Sequence, residues 1–111
     1  MKPNSLVHAA SLFVEHEAVA PEQVAGGQPR TGVGRLGRFG GLEVGVWEMT
    51  PGAMRDIEAD EIFVVLAGAA TIEFADGTAS LTLTPGDVVR LAKGAQTIWT
   101  VTEGLRKVYL A

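Results

Sequence analysis

The stretch Thr50–Gly68, TPGAMRDIEADEIFVVLAG, decides how this chain is read. A Pro51-Gly52 turn leads through an acid-rich segment into the apolar run Ile62–Leu66, and Gly68 closes it. A short β-branched and aromatic run bounded by turn residues is a strand signal. A second Pro-Gly, Pro85-Gly86, opens DVVRLAKG and repeats the same phrase of turn followed by strand.

Outward from that stretch the strand signals continue. Glu43–Met49 sets Val44, Val46 and Glu48 against Gly45, Trp47 and Met49 with a period of two, and Thr71–Phe74 carries the pattern on after Gly68. Asp76-Gly77 between TIEF and SLTL predicts a two-residue hairpin, since both central positions of a type I′ turn need positive φ. Ser80–Leu83, Val88–Leu91, Thr97–Val101 and Arg106–Leu110 supply four more short strands, separated by Pro-Gly-Asp, Ala-Lys-Gly-Ala and Thr-Glu-Gly. Closely spaced strands with turn chemistry between them, and no helical pattern after Leu42, predict an all-β antiparallel sandwich or barrel.

The N-terminal part is less regular. Pro3–Glu17 shows no clean period, so a strand or arm is expected as readily as a short helix; His8 and His16 there read as surface or capping residues. Ala25–Gly41 holds seven glycines and a proline in seventeen residues and reads as a loop, or irregular strands at best. Gly32, Gly34 and Gly37 match the G-x-G-x-x-G spacing, but that motif needs a strand before it and a helix after it to aim N–H groups at a pyrophosphate. Glycine and proline precede it here and Arg38-Phe39-Gly40-Gly41 follow, so no dinucleotide site is expected. The expected organisation is one domain, with residues 1–41 as an arm and glycine-rich loop packed on a barrel of residues 42–111.

A chain of 111 residues is large enough to bury roughly two thirds of its unfolded surface in one core. With no Cys there is no disulfide, thiolate metal site or Cys nucleophile, which fits a reducing, cytoplasmic setting. The formal charge of -4 argues against a nucleic-acid partner, because phosphate binding needs a basic face. Arg30, Arg35 and Arg38 read as a solvated connection. No apolar run approaches the roughly 18 residues of a membrane helix, and Met1–Asn4 opens nothing signal-like. A soluble protein without a membrane partner is expected.

Gly45–Gly52, Asp60-Glu61 with Val65–Gly68, Pro85-Gly86-Asp87, Lys93-Gly94, Trp99–Val101 and Arg106–Tyr109 together resemble the small single-domain cupins related to the cupin domain of (S)-ureidoglycine aminohydrolase. The resemblance covers roughly Leu42 to the C-terminus. It implies a jelly-roll barrel, commonly a homodimer, and in metal-binding members a set of three histidines and a glutamate holding Mn, Fe, Ni or Zn. On this chain the glutamate falls on Glu61, two histidine positions fall on Met54 and Asp56 (Ile57 if the spacing is one shorter), and the third falls on Thr97. Glu61 is then the one metal ligand retained, and the expectation is no cofactor or a weakly bound divalent metal.

Asp56, Glu58, Asp60 and Glu61 place four carboxylates in six positions. In an extended segment Asp56, Glu58 and Asp60 share a face, where crowding raises pKa values toward general acid–base work; otherwise the segment is a solvated loop at the barrel mouth. Glu61 and Asp56 are the catalytic candidates. Arg90, Thr97, Trp99 and Met54 are the binding candidates, with Arg55 and Arg90 either gripping a carboxylate or pairing with nearby acids. Trp47, Phe63 and Tyr109 read as core or interface aromatics. The expected partners are a small-molecule ligand and a second copy of the chain, paired through sheet edges or the N-terminal arm. Three functions stay open: an enzyme acting on a small nitrogen-containing metabolite such as a ureido compound, a metal-free ligand-binding cupin, or a scaffold without catalysis.

Overall fold

The computed structural model describes all 111 residues as nine strands and one short 3-10 turn. In chain order the strands are β1 (Glu17–Ala18), β2 (Val24–Gly26), β3 (Arg30–Phe39), β4 (Leu42–Met49), β5 (Gly52–Ile57), β6 (Glu61–Phe74), β7 (Leu81–Leu83), β8 (Val88–Leu91) and β9 (Gln96–Leu110). Every pairing is antiparallel.

β9 is the axis of the sheet. Its first half runs against β5, from Ile57↔Gln96 to Gly52↔Val101, and its second half against β4, from Met49↔Leu105 to Val44↔Leu110. Its other edge follows β6 throughout, from Ile62↔Leu110 to Phe74↔Thr97. The far edge of β6 takes β8 and then β7, while β3 extends the sheet beyond β4. The sheet curls into an all-β barrel, as the strand pattern predicts, and its jelly-roll form is the one the cupin resemblance implies.

Three local expectations are corrected. β6 and β9 are each one long strand where the turn-like residues suggest two. Register shifts between Val65 and Ala70 let β6 bend without breaking its pairing, as bulges do. Gly68 sits at that bend with φ 94°, and a Cβ there would lie 2.6 Å from the Gly104 carbonyl carbon and 2.7 Å from the Glu103 oxygen. The Asp76-Gly77 hairpin also does not form. Gly77 has φ 87°, but Asp76 is not left-handed, and the pair of β6 and β7 nearest the turn is Ile72↔Leu81. Asp76 Oδ1 instead accepts from the Thr78 N–H at 2.9 Å, a local turn that competes with the hairpin.

The third correction concerns the glycine-rich stretch, most of which is the ten-residue strand β3, paired with β4 from Thr31↔Met49 to Phe39↔Leu42. Gly32 and Gly34 share one face, and the N-terminal arm lies directly on it. A Cβ on Gly32 would sit 2.7 Å from Val14 Cγ1, and one on Gly34 would sit 3.3 Å from Leu12 Cδ2. His16 and Arg106 both grip Glu48 beneath the arm, and Arg106 also donates to the Ala9 carbonyl at 2.7 Å. Gly32→Val should therefore peel the arm away, costing about 1–3 kcal/mol as other overpacked contacts do. Limited proteolysis should then cut the arm faster than in the parent, and an unchanged digestion pattern would contradict this packing.

Alternation along the strands sets the interior. A cluster of 14 buried hydrophobic residues, Phe63, Ile72, Leu83 and Leu105 among them, fills the barrel. The buried polar side chains are Glu58, Thr97 and Lys107. All three lie in one place.

Candidate functional site

The site is built where the inward residues of three strands meet. On β5 the alternation points Met54 and Asp56 inward while Arg55 and Ile57 face out, and just past its end Glu58 is buried. β6 begins with Glu61 and buries Phe63, and β9 buries Thr97, Trp99, Lys107 and Tyr109. Asp56, Glu58, Glu61, Trp99 and Lys107 line a cavity of about 130 Å³, with Trp47 and Tyr109 in its wall.

Two carboxylates are fixed there by different partners. Glu58 Oε2 accepts from Thr97 Oγ1 at 2.6 Å and from Trp99 Nε1 at 2.8 Å. Its Oε1 has no protein partner, and because no fully buried side-chain oxygen or nitrogen goes unpaired, that atom opens to the cavity. Glu61 Oε2 accepts from Lys107 Nζ at 2.5 Å. The ammonium also stands 4.2 Å from the ring centroid of Phe63, 4.7 Å from Trp47 and 4.8 Å from Trp99. Ring faces attract a cation through their quadrupoles, more strongly in a desolvated site. Lys107 thus has a carboxylate on one side and aromatic faces around it. Burial pushes its pKa down, and the Glu61 charge works against that push.

Asp56 has no cation bonded to it. Burial, and next the charge of Glu58, raise its pKa from the ordinary 3.8 to about 6, against the hydrogen bond from the Ile57 N–H. A carboxyl so placed changes charge close to neutrality, the property a general acid or base needs. The folded chain holds this proton more tightly than the unfolded chain. Its contribution to stability is therefore complete below 3.8 and lost as pH rises through about 6. Asp56→Asn should remove that part of the fall and be more stable than the parent above the window. Urea denaturation across the window checks this, and an unchanged slope would contradict it.

Of the residues singled out from sequence, Met54, Asp56, Glu61 and Trp99 line the cavity, and Thr97 reaches it through Glu58. Asp56 and Thr97 also border a larger open groove of about 560 Å³ between the 3-10 turn Pro21–Gln23, β5, β6 and β9. Arg90 is elsewhere: it faces solvent on β8, where it meets Asp60 Oδ1 at 3.2 Å. Asp60 likewise leaves the shared face and accepts from the Lys93 N–H at 2.9 Å. Ile57 is 71% exposed, so the inward position of that pair is Asp56. Lys107, and Glu58 as a buried anchor, were not picked out by sequence. For Lys107 the signal was its place between Leu105 and Tyr109 at a period of two.

The donor set does not fit a transition metal, which needs three or four convergent ligands. Glu61 holds Lys107, Thr97 donates its proton to Glu58, and Met54 offers a thioether. No group of three His, Cys, Asp or Glu side chains is placed around one point. An ammonium stands against Glu61 where a metal bound to that carboxylate would stand.

Among solved structures, the chain is similar to a Rhizobium leguminosarum bv. viciae protein of unknown function, at 24% identity over 72% of this chain and 78% of that one, TM-score 0.65. It is similar to the Clostridium difficile EutQ protein at 20% identity over 74% and 67%, TM-score 0.63. A Pseudomonas syringae pv. tomato protein of unknown function matches at 25% identity over 91% of this chain and 45% of its own length, TM-score 0.69. No curated protein matches. Residues 36–109, most of the barrel and the whole lysine site, match the model of a family described as the EutQ-like cupin domain. The chain belongs to the EutQ-like cupin domain family.

Proposed function

We propose that this chain is a metal-free cupin that takes a small polar molecule into the barrel and moves a proton on it. Asp56 is the acid–base group, and Lys107, seated on Glu61, supplies the positive charge. The observation that carries this reading is the Lys107 ammonium on Glu61 beside a half-buried carboxyl whose pKa is raised to about 6. Titratable groups pushed away from their ordinary values in a cleft are a mark of functional sites.

The cavity bears more carboxylates than cations, and Glu58 Oε1 and one oxygen of Asp56 accept nothing from the protein. That favours a ligand bearing N–H or O–H donors. Ureido compounds, the class implied by the sequence resemblance, carry such N–H groups and stand as the finer form of the proposal.

The test is a thermal-shift panel of ureas, amides and small hydroxy compounds on EDTA-treated protein. A ligand at 100 times its Kd stabilises by about 2.7 kcal/mol, several degrees for a domain of this size. The expected result is a shift that persists in EDTA and is lost in Asp56→Ala. A shift that appears only when manganese, nickel or zinc is added would overturn the proposal.

A further inference from the structure

The placement of Lys107 asks for a reason beyond stability. Its side chain is 6% exposed and that of Glu61 is 11% exposed. Replacing a buried ion pair by apolar residues of similar volume is often neutral or stabilising, so folding alone does not call for an ammonium in the barrel. The other lysines, Lys2 and Lys93, are on the surface. Lys107 alone reaches the cavity.

The box around Nζ responds to charge on the nitrogen, not to the number of protons it carries. Three ring faces and the Glu61 carboxylate would hold an iminium as they hold an ammonium. The neutral amine needed for attack is one proton transfer away, since Glu61 Oε2 lies 2.5 Å from Nζ. Desolvation in an apolar pocket is a usual way to make a lysine nucleophilic, and the Lys107 side chain is buried among the rings of Phe63, Trp47 and Trp99. Asp56, on the same cavity wall, is the acid a dehydration step requires.

We propose that Lys107 forms a Schiff base with a small aldehyde or ketone bound in the barrel. The inference rests on the metal-free barrel site and departs from its ureido form: the ligand class it names is a small carbonyl compound in place of a urea. Lys107 gives a proton to Glu61, and its lone pair adds to the carbonyl carbon while the C=O π electrons move to oxygen. A proton passes from nitrogen to that oxygen, giving the carbinolamine. Asp56 then protonates the hydroxyl, which leaves as water while the nitrogen lone pair forms the C=N bond, and the proton on Glu61 restores Asp56. Ammonium plus carbonyl becomes iminium plus water, with no change in net charge and no outside oxidant or reductant. A cavity of about 130 Å³ has room for about four waters at roughly 30 Å³ each, so the carbonyl compound has about two to four carbons.

The test is reductive trapping. The whole protein is incubated separately with propionaldehyde, dihydroxyacetone and pyruvate, treated with borohydride, digested and mapped by mass spectrometry. The expected result is an adduct on Lys107 at least tenfold above Lys2, Lys93 and the N-terminal amine for one of the probes. Asp56→Asn should slow its formation about tenfold while circular dichroism stays that of the parent. Adducts confined to the surface amines would overturn the covalent step, and because mapping is done on the parent protein, this result does not depend on any Lys107 variant folding. Thermal shift with the same probes separates the two levels of the proposal. A probe that raises the melting temperature without trapping removes the Schiff base and leaves the barrel site, and neither shift nor trapping with the three carbonyl probes likewise removes the Schiff base alone, since the barrel site falls only if the panel of ureas, amides and hydroxy compounds also gives no shift.

Discussion

Lys107→Met should lower stability by about 3–5 kcal/mol, the cost of removing one partner of a buried ion pair. The change keeps most of the side-chain length but leaves the Glu61 carboxylate beside Glu58 and Asp56 with no cation. At roughly 4–8 °C per kcal/mol for a domain near this size, the melting temperature should fall by on the order of 15 °C or more. Adding Glu61→Leu should recover most of the loss, because the double variant buries no unpaired charge. Thermal and urea denaturation of the two variants measure this. A single variant within about 1 kcal/mol of the parent would mean that the pair behaves like a solvated surface bridge.

Gly68→Ala should be comparably damaging for a different reason. The backbone there has φ 94°, and the added Cβ would press on the Glu103–Gly104 peptide of β9, not on a side chain that could swing aside. Strained φ costs about 1–3 kcal/mol, and overpacking typically adds 1–3 kcal/mol. The total is about 3 kcal/mol or more, a large part of the roughly 5–15 kcal/mol that holds a domain together. The β6–β9 crossing positions Glu61 and Lys107, so the variant should also weaken ligand-induced thermal shifts. A loss under about 1 kcal/mol in urea would show that the bend relaxes freely.

The parts of this structure that were legible in sequence are those where one face of a strand is plainly apolar. From Leu42 onward alternation and turn residues gave the strands, and the resemblance to metal-binding cupins, not spacing alone, placed Met54, Asp56, Glu61 and Thr97 near one another. Lys107 was hidden because β9 is apolar on both faces: Leu105 and Tyr109 flank it at a period of two, but Val108 and Leu110 make an equally good opposite face. Only pairing with both β4 and β6 decides which face looks inward.

The acid-rich segment had the converse ambiguity. Extension makes Asp56, Glu58 and Asp60 one face, but the chain turns after Glu58, whose backbone pairs with Gly94 and Ala95, and Asp60 is carried out to Arg90. The glycines of β3 misled because local propensity argues for a loop, whereas Gly32 and Gly34 answer to a tertiary contact with the arm, which no local pattern contains. Asp76-Gly77 failed as a hairpin for a similar reason: β7 pairs far enough from it that a wider loop satisfies the register.

On the proposed reading this barrel works with a lysine where metal-binding cupins place a metal. The most direct test of that reading is elemental analysis of untagged protein expressed with manganese, iron, nickel and zinc supplied. Metal should be far below one atom per chain, both in the parent and in Glu61→Gln. Near-stoichiometric metal in the parent that disappears in Glu61→Gln would contradict it and return Glu61 to the role of a metal ligand.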